Sequence, residues 1–249
     1  MKKLMLLVTL AFPVFLFGQN NEGKIVYNET VKLEIKIQGD ASGMEHLLPK
    51  EHNNVKTLTF TASESIFEDA NEGEVEEISE TAEGNSFHMK MVKPENKLYK
   101  NTANGTTIEL KEFFGKKFLI TGEPLTYDWK LTGEQKEILG YNCQQATTED
   151  ENGVKVVWFT SEIPVPNGPG HLGQLPGMIL EANLNDGKMV LVASKIELGT
   201  IEEGIVKAPT KGKAVSQEEF DEISAKKMEE MGMDGTSGSG RAVFKVIRQ

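Results

Sequence analysis

A single cysteine, Cys143, and four histidines, His46, His52, His88 and His171, are the side chains of this 249-residue chain best suited to nucleophilic or metal chemistry. As a nucleophile Cys143 needs a depressed pKa, and therefore a histidine or cation beside it. No histidine is near it in sequence. Within the alternating segment 138–148, Tyr141, Cys143 and Gln145 fall on one face and Asn142, Gln144 and Ala146 on the other. That placement reads Cys143 as a small core residue, free cysteine being among the most buried types. One cysteine excludes an internal disulfide and a thiolate zinc cluster, and leaves open pairing between molecules. The spacing His46-x5-His52 is no zinc motif, and no HExxH accompanies it. Met89 and Met91 beside His88, with Met228, Met231 and Met233, would offer soft thioethers to Cu(I). Against copper stands the position of Met89 and Met91 on the apolar face of a strand.

Residues 64–84 hold nine acids and no basic residue, but not the D-x-[DN]-x-[DN]-G spacing of a calcium loop. Like charge at that density reads as a solvated loop. GxSxG and the GxxxxGK[ST] phosphate-binding motif are missing from the sequence. Carboxylates are too numerous to single out a glycosidase pair. The enzyme reading therefore rests on no motif, and no cofactor site is predicted.

The elements that would position these residues follow period 2. Val31, Leu33, Ile35 and Ile37 alternate with polar residues, as do Leu58, Phe60 and Ala62, and Phe87, Met89 and Met91. Further strands are expected at 97–101, 106–110, 117–121, 138–148, 153–160, 178–184 and 188–197. Asn104-Gly105, Asn152-Gly153 and Asp186-Gly187 are hairpin dipeptides. Ser216 followed by Glu219 is a capping box, and Phe220, Ile223 and Met228 continue it as a helix over 216–231. A Gly-Ser run, 235–240, then leads to a last strand, 241–248. Strands joined by short turns give a mainly β fold, a single antiparallel, strongly curved sheet or open barrel with a C-terminal helix.

Between two of these strands lies the segment 161–177, with four prolines and four glycines. Each proline fixes φ, so this is a stiff, directed loop. Gly168, Gly170, Gly173 and Gly177 are free to supply positive φ where it turns. Structured loops carry function more often than scaffolds do, yet a loop of this kind can also close one end of a curved sheet, with Leu172, Leu175 and Ile179 as plugs.

The chain opens with Met1-Lys2-Lys3 and an apolar run from Leu4 to Phe17, ending at Gly18 before polar residues. That is a secretory signal over 1–18, too short for a comfortable membrane span. It predicts a mature chain of residues 19–249 forming one domain, exported to the periplasm, the outer membrane or the exterior. Net charge is −11, and loss of Lys2 and Lys3 takes it to −13. Only two arginines occur, Arg241 and Arg248. Nucleic acid and anionic lipid surfaces are excluded as partners by that balance.

Several motifs stand in order through the middle of the chain: Trp129-Lys130-Leu131, then 138–147 with Gly140, Tyr141 and Cys143, then Val157-Trp158-Phe159-Thr160. Glu162-Ile163-Pro164, Gly168-Pro169 and Leu175-Pro176-Gly177-Met178-Ile179 follow. In this order the chain resembles the GLPGLI family of secreted Bacteroidota proteins over roughly residues 24–200. Two positions depart from the signature, where Gln174 replaces the first glycine and Met178 the second leucine. The resemblance implies export, a mostly β architecture and the company of outer-membrane transport proteins, and it assigns no catalytic residue. The expected function is a non-enzymatic binding or accessory module for an apolar ligand or an outer-membrane partner. A periplasmic hydrolase with a dispersed site and a copper-binding accessory protein are the alternatives.

Overall fold

The structure of the chain is a computed structural model. It describes residues 21–32, 50–70, 75–82, 85–92 and 94–230, with 75–82 and 85–92 described by backbone alone. The chain order is β1 (Gly23–Lys32), β2 (Glu51–Phe60), β3 (Glu64–Asp69), β4 (Val75–Ala82), β5 (Asn85–Val92), β6 (Asn96–Asn101) and β7 (Thr106–Phe113). Then come β8 (Lys116–Gly122), β9 (Lys130–Ile138), β10 (Tyr141–Asp150), β11 (Gly153–Thr160), β12 (Met178–Leu184), β13 (Met189–Leu198), β14 (Lys213–Val215) and α1 (Gln217–Glu230). Twelve strands form one sheet in the order β14-β8-β7-β6-β3-β2-β1-β13-β12-β11-β10-β9, and β4 pairs with β5 apart from it. The sheet is open, with β14 and β9 at its edges, and every pairing is antiparallel except β14 with β8.

Alternation produces the sheet, although β1 begins at Gly23, ahead of the strand expected from Val31. Ile25 and Tyr27 of β1 are buried while Lys24 and Asn28 are exposed. The three hairpin dipeptides fall in the turns β6–β7, β10–β11 and β12–β13. The main core gathers Ile25, Tyr27, Leu58, Phe60, Val157 and Phe159 from the sheet with Ile163, Val165, Leu172 and Leu175 from the 161–177 loop. Phe118, Ile120 and Val215 form a second cluster with Phe220 of α1. The capping box closes reciprocally: Glu219 N–H donates to Ser216 Oγ at 3.1 Å, and Ser216 N–H to Glu219 Oε2 at 3.0 Å.

The acidic run 64–84 is not a loop. It contains β3 and β4. In β3 the acids find cross-strand partners: Glu68 meets Lys97 at 3.0 Å, Asp69 meets Lys56 at 2.7 Å, and Glu64 accepts from Tyr99 and Asn101. Opposite charges across a ladder offset the repulsion that the sequence alone suggests. The segment 138–148 is likewise two strands, because Leu139 (φ 51°) and Gly140 (φ 85°) make a tight turn between β9 and β10. β9 itself, nearly all exposed, carries no apolar alternation by which to read it. Cys143 and Ala146 both face the core, since the register with β9 shifts between Gln144 and Ala146 and breaks the strict alternation. The signal segment 1–18, residues 33–37, His46, Met231, Met233 and the last strand 241–248 lie outside the described residues.

Candidate functional site

The 161–177 loop leaves β11 at Thr160 and returns to β12 at Met178. Three short turns compact it: Val165 N–H donates to Ile163 O, Asn167 N–H to Val165 O and Gly177 N–H to Leu175 O, at 2.7–2.8 Å. It is then bonded to the strands it joins and to β1. Met178 N–H donates to Ile163 O at 3.0 Å, Ile179 N–H to Asn167 O at 2.9 Å, and the Tyr27 hydroxyl to Ile179 O at 2.7 Å. Leu172, Leu175 and Ile179 are buried, so the loop is the plug of the sheet's inner face.

Positive φ is confined to Gly170 and Gly177 among the loop's four glycines. Gly168 is needed for space instead: a Cβ there would lie 2.9 Å from Ile179 Cβ. Gly177 has φ 156°, and a Cβ there would lie 2.0 Å from Thr160 O.

The far end of the loop is fastened by a residue from six places away in the strand order. Lys100 of β6 is buried, and its ammonium donates to Gly168 O (2.9 Å), Gly170 O (2.7 Å) and Leu172 O (2.9 Å). At about 4.8 Å per strand, β6 and β11 would stand about 29 Å apart in a flat sheet. The loop folding back over a curved sheet brings them together. Three ammonium hydrogens meet three acceptors, so the buried group is fully used. Burial pushes the Lys100 pKa down to about 7, while the carbonyls, which can only accept, hold its protons. Beside it, His171 Nε2 stands 3.5 Å from Glu109 Oε2, and Lys111 lies 3.2 Å from the same oxygen. Burial would raise the Glu109 carboxyl, but hydrogen bonds and charge from His171 and Lys111 outweigh it and hold it below the ordinary range.

The near side of the loop meets an irregular strap, residues 123–129, leading into β9. Gln174 Nε2 donates to Leu125 O at 2.9 Å, Tyr127 N–H donates to Gln174 Oε1 at 3.1 Å, and Trp129 Nε1 donates to Gly173 O at 3.0 Å. Gln174 holds φ 69°, a left-handed backbone that costs an L-residue about 1 kcal/mol or more. Glycine would adopt it freely, and here two hydrogen bonds of the side-chain amide to the strap offset the strain. Tyr127 and Trp129 lie with ring centroids 5.1 Å apart and tilted 34°. Both are half-buried and pack one side against the main core. Burial first, and the Asp150 charge second, push the Tyr127 phenol up to about 12.

Of the residues singled out by sequence, Trp129, Gly168, Pro169, Leu175, Pro176 and Gly177 meet in this loop and strap. Pro176 is exposed and the other loop members are buried. Gly140, Tyr141 and Cys143 sit at the start of β10, tied to the loop's first residues where Asn142 N–H donates to Glu162 Oε1 at 2.9 Å. Cys143 is fully buried, and burial pushes its thiol up to about 11, the reverse of an activated nucleophile. Trp158 stands apart, with the Lys136 ammonium 4.3 Å over its ring and 2.7 Å from Glu181. Among the described residues no three His, Cys, Asp or Glu side chains gather in metal-binding geometry. The side chains of His88, Met89 and Met91 lie outside the described residues.

Sequence reasoning missed Lys100, Gln174 and Tyr127. The signal for Lys100 was present in the strand 97–101, where it shares the inward face with Leu98.

Residues 50–226 match the profile of a family described as N-glycanase peptide, N-terminal domain. Two solved structures share the fold. One, PNGF-II in the P21 space group, aligns with a TM-score of 0.54 and 16% identity, over 82% of this chain and 33% of that one. The other, PNGF-II in the C2 space group, gives 0.53 and 16%, over 81% and 32%. This chain thus spans about a third of the length of those structures. No curated protein sequence matches it.

Proposed function

We propose, for a chain that belongs to the N-glycanase peptide, N-terminal domain family, that it is an exported, non-catalytic accessory module that engages glycoproteins. The observation that carries this reading is the family match itself, which takes in the sheet from β2 onward, the Pro/Gly loop and most of α1. That family is the N-terminal domain of an N-glycanase, a part distinct from the rest of that longer protein. Geometry supports binding rather than turnover. The most deeply buried titratable groups are committed to holding the loop, as with Lys100, or kept neutral, as with Cys143. Because the loop fills the inner face, a ligand meets this protein at its surface. The signal-like segment 1–18 and the GLPGLI-like motifs support export, and with it a periplasmic or outer-membrane setting where glycoproteins are encountered.

The test is retention of a glycoprotein bearing N-linked glycans on the immobilised full chain, beside an unglycosylated protein of similar size and charge. Selective retention without release of free glycan is expected. Equal retention of both would refute the glycoprotein assignment, and release of glycan by the purified chain would refute the non-catalytic one. Mass determination of the secreted protein, with a mature start near Gln19, checks the export step; an intact Met1 in soluble cytoplasm would refute it.

A further inference from the structure

The strap and the start of β9 offer a surface that the core covers only in part. Leu125, Tyr127, Trp129 and Leu131 occupy alternate positions at the free edge of the sheet. Leu131 lies opposite Ala146, whose side chain faces the core, so Leu131 belongs to the inner face where that face runs out to solvent. Tyr127 and Trp129 rest one side on the core, and the leucines that bracket them are 52% and 61% exposed. Thr126, Asp128 and Lys130, between them, are exposed and polar.

The row is rigid although no strand pairing holds residues 123–129. Gln174 fixes the backbone at Leu125 and Tyr127, and Gly173 O takes the indole N–H. With that N–H engaged, Trp129 presents ring surface rather than a donor. Rings fixed in advance lose little freedom when a ligand arrives, which favours binding over burial of the same area by mobile side chains. A ligand that fits must lay a flat, weakly polar face on tilted aromatic surface and turn its polar groups outward to water. A pyranose ring has that construction, with C–H groups on its faces and hydroxyls at its rim. Charge selects further: at −11 the chain repels anions, so the sugar is neutral.

We propose that Leu125, Tyr127, Trp129 and Leu131 form a binding site for a neutral saccharide, with Gln174 as the residue that positions it. The inference rests on the glycoprotein-module reading and adds to it that the contact is made to sugar rather than to polypeptide.

The experiment uses the full chain and two free oligosaccharides, a neutral high-mannose glycan and a sialylated one, followed by titration calorimetry. The neutral glycan should bind and the sialylated one bind at least tenfold more weakly. Trp129→Ala and Tyr127→Ala should each weaken binding at least tenfold. Leu131→Asp, at an exposed position where folding is not at stake, should do so several-fold with an unchanged melting temperature. Gln174→Gly should melt like the parent, since glycine takes the same φ without strain, yet bind several-fold more weakly because the strap loses its two amide bonds. Trp158→Phe serves as the control and should bind normally. If the chain retains glycoprotein but neither free glycan binds, the sugar site is wrong while the module reading survives. Normal binding by both Leu131→Asp and Trp129→Ala would place the saccharide elsewhere. A dimer in sedimentation that Leu131→Asp dissolves, without any glycan binding, would make the row a self-association surface and overturn the proposal.

Discussion

Replacing Gly177 by alanine tests whether the Pro/Gly loop is a structural closure. A Cβ at this position would lie 2.0 Å from Thr160 O, 2.6 Å from Thr160 C and 3.0 Å from Ser161 Cα. All three are backbone atoms, so no side chain can swing aside. Ordinary contact begins near 3.4 Å, and the strands must therefore part by roughly 1.4 Å. Thr160 is the register partner of Met178, so the movement opens the last rung of the β11–β12 ladder. It also strains the bonds from Met178 N–H to Ile163 O and from Ile179 N–H to Asn167 O. Overpacking costs about 1–3 kcal/mol and each weakened bond about 1 kcal/mol, giving about 3–5 kcal/mol together. For a domain of this size each kcal/mol lowers Tm by about 2–4 °C, so a fall of roughly 10 °C is expected by calorimetry or circular dichroism. Gly170→Ala is the matched control. It has φ 57° but nothing within 4 Å of its Cβ, so only left-handed strain of about 1 kcal/mol applies. Equal melting of the two variants would refute the argument, because the close approach to Thr160 would then carry no energy.

Lys100→Met should destabilise by about 3 kcal/mol, since three buried carbonyls lose their donor at about 1–3 kcal/mol each and relief of the buried charge offsets only part. A methionine variant as stable as the parent in a thermal melt would show that burying the charge costs as much as its bonds return. Cys143, buried with its thiol pushed up to about 11, should react with a thiol reagent at neutral pH only as fast as the protein opens, and Cys143→Ala should cost about 1 kcal/mol; labelling in seconds refutes its burial. Glu109 is an acid held below its ordinary range, so its contribution to stability is complete above the unfolded carboxylate pKa and is lost as pH falls through the folded one. Glu109→Gln should therefore flatten the acid side of the stability profile in denaturant titrations from pH 6 down to pH 3, and an unchanged slope refutes the coupling to His171 and Lys111.

Much of the sheet was legible because burial on one face leaves a period-2 trace, as in Leu58 and Phe60 of β2 or Val157 and Phe159 of β11, whereas Ile25 and Tyr27 of β1 carry the same trace and were not read as a strand. The trace fails where a strand is exposed on both sides or is held by charge. β9 lies at an edge and needs no apolar face, and β3 is held in part by Glu68–Lys97 and Asp69–Lys56. Both are pairings across distant sequence, and a one-dimensional reading of 64–84 sees only the acids. The capping box at Ser216 was legible for the opposite reason, since its two bonds close within four residues.

The loop shows the same division at finer scale. Its stiffness and its buried leucines follow from composition, because proline and leucine act locally. Its fastening does not, because the donors come from β6 and the strap. Lys100 reads in sequence as an ordinary charged strand residue, and only the fold, by curving β6 toward the β11–β12 connection, turns it into a three-point fastener. Gln174 is the converse case. Its backbone conformation is one that glycine adopts without strain, and its side chain bonds the loop to the strap. The residue that strains the loop by about 1 kcal/mol therefore also holds the strap that carries Tyr127 and Trp129. On this account a glycine at 174 would relieve the strain and loosen the strap, so the order of the aromatic row depends on this one side chain.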